Sequence, residues 1–550
     1  MAFLYEIFGF LSVVARVIAI TTQSLTVGGI AFLLVLAQRV PGGLSVEREA
    51  IFRRCRVLLV VSALILAAGE AVDLAMQASI LVATTGLRIG ETLGASSMVA
   101  GMVRIVAALL VAALARPPLG GVRRVALLLA GIMILLAATA TSHAVSRIGD
   151  RAALAILTFL HQLAASVWLG GIPYFLAALA RSRDGSAWRW VGRRFSLMSM
   201  ISVFVLFAGG LGLSIVFIGA PEAIWGTTYG IMVSTKVLLF LGLLCLGGMN
   251  FLVVERLRRD PATPILRLRR FAEAELGIGV AVFCVAASLT SLPPAADQPN
   301  DIVSADEIIE RFMPRWPRLT SPDHDDLAIP ALQAKLDADA AARGASDRPE
   351  AYTVGLGEVP PSNAADRAWS EYNHNWAGII VLLIGLAALG ERSGVLPWGR
   401  HWPLIFLGLA AFLFLRSDPE VWPLGEIGFF ESFKDSGVVQ HRVFVVLIIS
   451  FAIFEWRVRT GRLRSQAASL VFPLICAAGG GLLLLHSHAL ANVKDAMLVE
   501  LSHVPLALLG LAAGWSRWLE LRLPGSRFAG WIWPVCFVLT GLVLLDYRES

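Results

Sequence analysis

Runs of about twenty apolar residues recur along the chain, separated by short polar stretches. Inside roughly 30 Å of hydrocarbon, helix is the conformation that pairs every backbone group of such a run. Fourteen spans are predicted, at about 10–38, 57–84, 92–115, 122–142, 151–180, 196–219, 228–254, 271–292, 376–391, 402–416, 440–456, 467–486, 496–516 and 528–546. The stretch 293–375 holds Pro293-Pro294, an Asp/Ala-rich run and Pro360-Pro361, and is too polar for lipid. It reads as an external cap or linker, with a short amphipathic helix at Ala328 to Ala342. The expected architecture is an all-α, polytopic integral membrane bundle of about fourteen transmembrane helices in an eight-plus-six arrangement with an external loop. Its expected domains are an eight-helix membrane domain (1–294), an extracytoplasmic loop (295–375) and a six-helix, His-rich membrane domain (376–550).

Composition sharpens this picture. The 550 residues are 57% hydrophobic and 16% charged, against roughly 45–50% apolar in a soluble domain, which excludes a large soluble enzyme. The net charge of +6 gives no support to nucleic-acid binding, because the arginines flank apolar runs. They crowd alternate loops, as in Arg53-Arg54, Arg123-Arg124, Arg193-Arg194 and Arg269-Arg270, and by the positive-inside rule those loops are cytoplasmic. Both termini and the long loop are then extracytoplasmic. The first 40 residues lack a basic segment followed by a small-residue cleavage site, so they read as a first span. None of the five cysteines forms CxxC or CxxCH, so no disulfide framework, zinc knuckle or c-type haem attachment is encoded.

Threaded this way, eight of the nine histidines fall toward the outer side, and His401 alone faces the cytoplasm. His143, His374, His441, His486 and His488 stand at helix ends, and His324 lies in the loop. His161 lies roughly 15 Å, and His503 roughly 10–12 Å, inside their spans. Polar groups at that depth are costly and mark functional sites, and imidazole suits copper, zinc and haem iron. Ser142-His143-Ala144 followed by His161, and Ser487-His488-Ala489 followed by His503, form two similar hairpins. Glu500 precedes His503 by one turn on the same face, as a second ligand or an orienting carboxylate. The metal-ligand candidates are therefore His143, His161, His486, His488, His503 and Glu500, and the cofactor-binding candidates His161, His503, His441 and His488. Glu70, Asp73, Arg104, Lys236 and Asn250 are further polar residues at membrane depth, with Glu70 expected to pair with Arg104 or Lys236.

The segment Leu160-His161-Gln162-Leu163-Ala164-Ala165-Ser166-Val167-Trp168-Leu169-Gly170-Gly171 resembles the signature helix of the copper resistance D (CopD/PcoD) family. Ser142-His143-Ala144, Thr228-Tyr229-Gly230, Lys236, Asn250, Arg270-Phe271 to Glu275 and Leu292-Pro293-Pro294 follow in the family's order, so residues 1–294 read as CopD-like. The resemblance implies a multi-pass protein of the bacterial inner membrane that moves copper, beside a periplasmic copper-binding partner of the CopC type. The carry-over reaches His143, His161 and Trp168. Span one reads Ile20-Thr21-Thr22-Gln23-Ser24, where many relatives place a histidine. The last six spans are not recognised as belonging to a family.

Copper transport or delivery is the favoured reading. The alternative is electron transfer by b-type haem, ligated by His161 with a partner from span four or by His503 with His441 or His488. A third is a subunit of a respiratory or copper-enzyme complex docked through the external loop. No GxSxG, HExxH or GxxxxGK[ST] motif is present, so neither hydrolysis nor an ATP-driven cycle is encoded in recognisable form.

Overall fold

The computed structural model describes residues 2–36, 45–85, 88–116, 120–147, 149–182, 185–327, 363–425, 427–434, 436–485, 493–526 and 528–549. Among these the protein is helical throughout, and its one β-type pairing is an isolated bridge between Val421 and Ile427. Eleven helical segments are long and apolar enough to cross a membrane, from Leu11–Leu36 to Gln466–Leu483. Ala529–Leu545 is a shorter apolar helix, while Ser436–Arg459 and Val493–Arg522 are helices over the two remaining expected spans. Apolar side chains on many helices face outward, Phe204 at 73% exposure and Val106 at 66% among them, as a lipid-facing surface requires. The fold is an all-α polytopic membrane bundle. The expected helix at Ala328 to Ala342 lies outside the described residues.

The chain divides into two compact units: residues 11–224 with 232–299, and residues 300–550 with 1–10 and 225–231. The helices of the first are α1 (Ala2–Leu36, from Leu11 on), α2 (Ser45–Thr85), α3 (Ser96–Ala115), α4 (Gly121–Ala140), α5 (Arg151–Trp168), α6 (Ile172–Arg181), α7 (Gly185–Ile218), α8 (Thr228–Arg259, from Met232 on) and α9 (Leu266–Leu289). Helices α5 and α6 are one membrane crossing interrupted at Leu169-Gly170-Gly171, with Pro173 in the first turn that follows. The interruption coincides with a close crossing of α1. A Cβ on Gly170 would stand 1.9 Å from the Ser24 carbonyl oxygen, and one on Gly28 would stand 2.3 Å from that of Ser166. Without a hydrophobic drive between helices in lipid, such contact through small residues is what holds them together. Aromatic packing reinforces it: Phe175 stacks on Phe195 at 4.4 Å, and Phe32 lies 6.1 Å from Tyr174.

The second unit comprises α10 (Ala364–Ser393), α11 (Ile405–Arg416), α12 (Ser436–Arg459), α13 (Val471–Leu483), α14 (Val493–Arg522) and α15 (Ala529–Leu545). Asn363 caps α10, its side chain accepting from the Asp366 N–H while Asp366 reaches back to the Asn363 N–H. The helix ends at Gly394, whose φ of +79° supplies the left-handed turn. The core is aromatic, built from Trp402, Phe406, Phe451, Phe472 and Trp533. Gly378 and Gly541 bring α10 and α15 together backbone to backbone, and Gly480 and Gly514 do the same for α13 and α14.

Candidate functional site

In the first unit the polar residues of α5, α8 and α9 form three successive levels. At the first, the His161 ring rests on Gly209 and Gly210 of α7, and a Cβ on Gly210 would lie 3.3 Å from His161 Cε1. His161 Nδ1 is buried and has no hydrogen-bond partner among the described residues. Lys236 lies within electrostatic reach of the ring. Beside it, Gln23 of α1 donates to Gln162 Oε1 at 3.5 Å, and Ser166 donates to Ser24 Oγ at 3.4 Å. Gln23 and Ser24 of α1 therefore face α5 with amide and hydroxyl groups in the stretch where the resemblance places a histidine in many relatives.

The second level is aromatic, with Trp168 edge-on to Phe240 at 6.0 Å. At the third, Asn250 donates to Glu275 Oε2 at 2.6 Å, and a Cβ on Gly247 would stand 3.0 Å from Glu275 Oε1 and 4.0 Å from the Trp168 ring. Asn250 and Glu275 are both buried. From Lys236 to Asn250 the series runs down α8 for about 21 Å at 1.5 Å per residue. Glu70 pairs with Arg104, which settles the choice between Arg104 and Lys236 as its partner.

The other predicted ligands are dispersed. His143 Nε2 meets the Thr290 carbonyl at 3.2 Å, at the end of α9 where Arg16 also bonds Thr290 and Ser291. His441 Nδ1 sits 2.7 Å from Asp418 Oδ1 at the mouth of α12. His503, on α14, lies 6.4 Å ring to ring from His374 on α10, with Tyr547 against both. Glu500 is buried, and its Oε2 has no hydrogen-bond partner among the described residues. His486 and His488 lie outside the described residues. Among the described residues no three His, Cys, Asp or Glu side chains converge closely enough to hold a metal ion together.

One feature of the second unit escaped the sequence pattern. Arg392, Arg459 and Arg517, which follow apolar runs as the loop arginines do, are drawn into an ion-pair network with Glu391, Glu455 and Glu520. Trp402 donates to Glu391 Oε2 at 3.1 Å and Trp533 to Glu520 Oε2 at 2.9 Å. The network borders a cavity of about 550 Å³ lined also by Trp531 and Trp533. Its local signals were Glu455 four residues before Arg459 and Arg517 three before Glu520.

Residues 190–289 match the family model described as Copper resistance protein D. The matched segment contains all of α8 and α9, most of α7, and Lys236, Asn250 and Glu275; the LHQLAASVWLGG segment precedes it in sequence, and His161 packs against its Gly209-Gly210. A curated relative, "Copper transport protein CutJ" of Bacillus subtilis (strain 168), is 34% identical over 164 residues, covering 29% of this chain. The chain spans only 29% of that relative's length. No solved structure matches the chain. The protein is a multi-pass membrane protein with a copper-resistance-like segment.

Proposed function

We propose that the protein carries copper through a bacterial inner membrane, with its first unit as the path and His161 as the first ligand inside the bundle. Copper here is cargo, so a chain of modest ligands suits the task better than one closed cage. The observation that carries the reading is the contact between the copper-resistance-like segment and His161. That segment supplies the glycine shelf on which the imidazole rests and the Lys236, Asn250 and Glu275 side chains that continue the polar series. The relative's printed name, a copper transport protein, points the same way.

In this reading His143 receives the ion at the outer rim, helped by a periplasmic copper-binding protein of the CopC type. His161 then binds it through a ring nitrogen, and Glu275, oriented by the Asn250 amide, accepts it on the far side of the Trp168–Phe240 pair. Neutral imidazole and carboxylate are both competent copper ligands, and the bond between Asn250 and Glu275 fixes one carboxylate oxygen while leaving the other for the ion. The Trp168–Phe240 pair stands on α5 and α8 between His161 and Glu275 along this path. The Arg-rich loops set the orientation, with both termini extracytoplasmic.

The test is copper accumulation in cells that express the wild-type chain or His161→Ala, alongside the copper content of each purified protein. Accumulation and stoichiometry should both fall in the variant; equal values in the two proteins would refute the path.

A further inference from the structure

The second unit holds a pair of imidazoles that the path above does not use. His374 of α10 and His503 of α14 stand 6.4 Å apart centre to centre, with their planes at 81°. Two imidazoles that bind one ion from opposite sides sit about 6 Å apart, because each metal–nitrogen bond is about 2 Å long. His374 is pre-set for such a bond. Its Nδ1 faces the Ser370 carbonyl at 2.8 Å, so that nitrogen carries the proton and Nε2 carries the lone pair.

The ring is also held in place. Tyr547 stacks on it at 3.7 Å and 19°, and the Tyr547 hydroxyl donates to Glu549 at 2.8 Å. Ser370 Oγ donates to the same carboxylate. Beyond this shell, His441 lies within electrostatic range of His374.

We infer that His374 and His503 form a separate two-coordinate copper(I) site in the second unit; the choice of copper rests on the function proposed above. Two imidazole nitrogens suffice for copper(I), whereas a tetrahedral zinc site takes four protein ligands. Copper(I), a soft d¹⁰ ion, is stable between two imidazoles. The packing also argues against a haem between the same two rings. The Tyr547 ring, 3.7 Å from His374 and 6.1 Å from His503, stands beside the line that joins them, where a porphyrin would have to extend.

The experiment is titration of the purified full-length chain with copper(I) under anaerobic, reducing conditions, against the chromophoric chelator bicinchoninate. Wild type should take up one more equivalent than His374→Leu or His503→Leu, while His161→Leu should keep this equivalent and lose a different one. His503→Met restores a copper(I) ligand of similar size and should retain the equivalent, so it carries the test if the leucine variants do not fold. Loss of the equivalent in a folded His503→Met protein overturns the site. So does an unchanged stoichiometry in both leucine variants while His161→Leu loses copper, and that result leaves the path standing. A wild-type chain that takes up no copper overturns both.

Discussion

His161 lies against the bare backbone of Gly210: a Cβ on that glycine would stand 3.3 Å from the imidazole Cε1 and 3.5 Å from Nδ1. The ring thus occupies space that a side chain would otherwise fill. Gly210→Leu, which leaves every proposed ligand intact, should push the ring off its shelf. Copper accumulation is expected to fall at least about tenfold, equivalent to about 1.4 kcal/mol of binding, with helix content unchanged by circular dichroism. Accumulation at the wild-type level would mean that the position of the ring is immaterial to transport.

The crossing of α1 over the α5–α6 break leaves even less room. Gly170→Ala sets a methyl group into the Ser24 carbonyl, and backbone on both sides cannot yield as a flexible side chain would. Overpacking of this kind costs about 1–3 kcal/mol. The variant should unfold at lower temperature in detergent, and Gly28→Ala at the same crossing should do likewise. Because the two glycines share one contact, the double variant should lose less than the sum of the single losses. Full additivity would show that the helices do not meet there.

The spans themselves were legible because lipid imposes one requirement, a long apolar run, that hydropathy reads directly. The ion-pair network of the second unit was hidden for the converse reason. Arg459 and Arg517 follow apolar runs as topology-setting arginines do, yet both reach Glu455, which is only 1% exposed, and the 62-residue separation between Glu455 and Arg517 has no local signature. His503 stands out by its depth, whereas its neighbours are His374 on α10 and Tyr547 just past the end of α15, 129 and 44 residues away in sequence. Depth in the membrane is a property of one helix. The pairing of ligands belongs to the packing of several.

Glu70 and Arg104 form an ion pair across α2 and α3 with side-chain exposures of 3% and 15%. Removing one partner of such a pair leaves an uncompensated charge and costs about 3–5 kcal/mol, while replacing both with apolar residues of similar volume is close to neutral. Glu70→Gln and Arg104→Met should therefore each lower the unfolding midpoint sharply, and Glu70→Leu/Arg104→Met should recover most of it. Copper accumulation by the double variant should match wild type, because neither residue belongs to the proposed path. A double variant as unstable as the singles would assign the pair a role beyond mutual neutralisation.

Asn375 ties together three pieces of chain beside the proposed copper(I) site. Its Oδ1 accepts from the Arg318 backbone N–H at 2.6 Å, and its Nδ2 donates to the carbonyls of Leu544 and Leu545 at 3.1 and 3.2 Å, at the C-terminal end of α15. The side chain is fully buried, so water cannot replace what it supplies. Asn375→Ala strips the Arg318 N–H and the Leu545 carbonyl of their partner, at about 1–3 kcal/mol for each buried group, and leaves the Leu544 carbonyl with only the 3.4 Å bond from the Tyr547 N–H. Asn375→Asp should be worse than Ala, since it keeps the acceptor for Arg318 but turns a negative oxygen toward two carbonyl oxygens. Hydrogen exchange should accelerate first at residues 544–549, because Tyr547 lies just past the released carbonyls and would lose its stack on His374 as the end of α15 frays. Should exchange there stay at the wild-type rate in both variants, Asn375 would be a passive occupant of the core and the end of α15 would be held by other contacts.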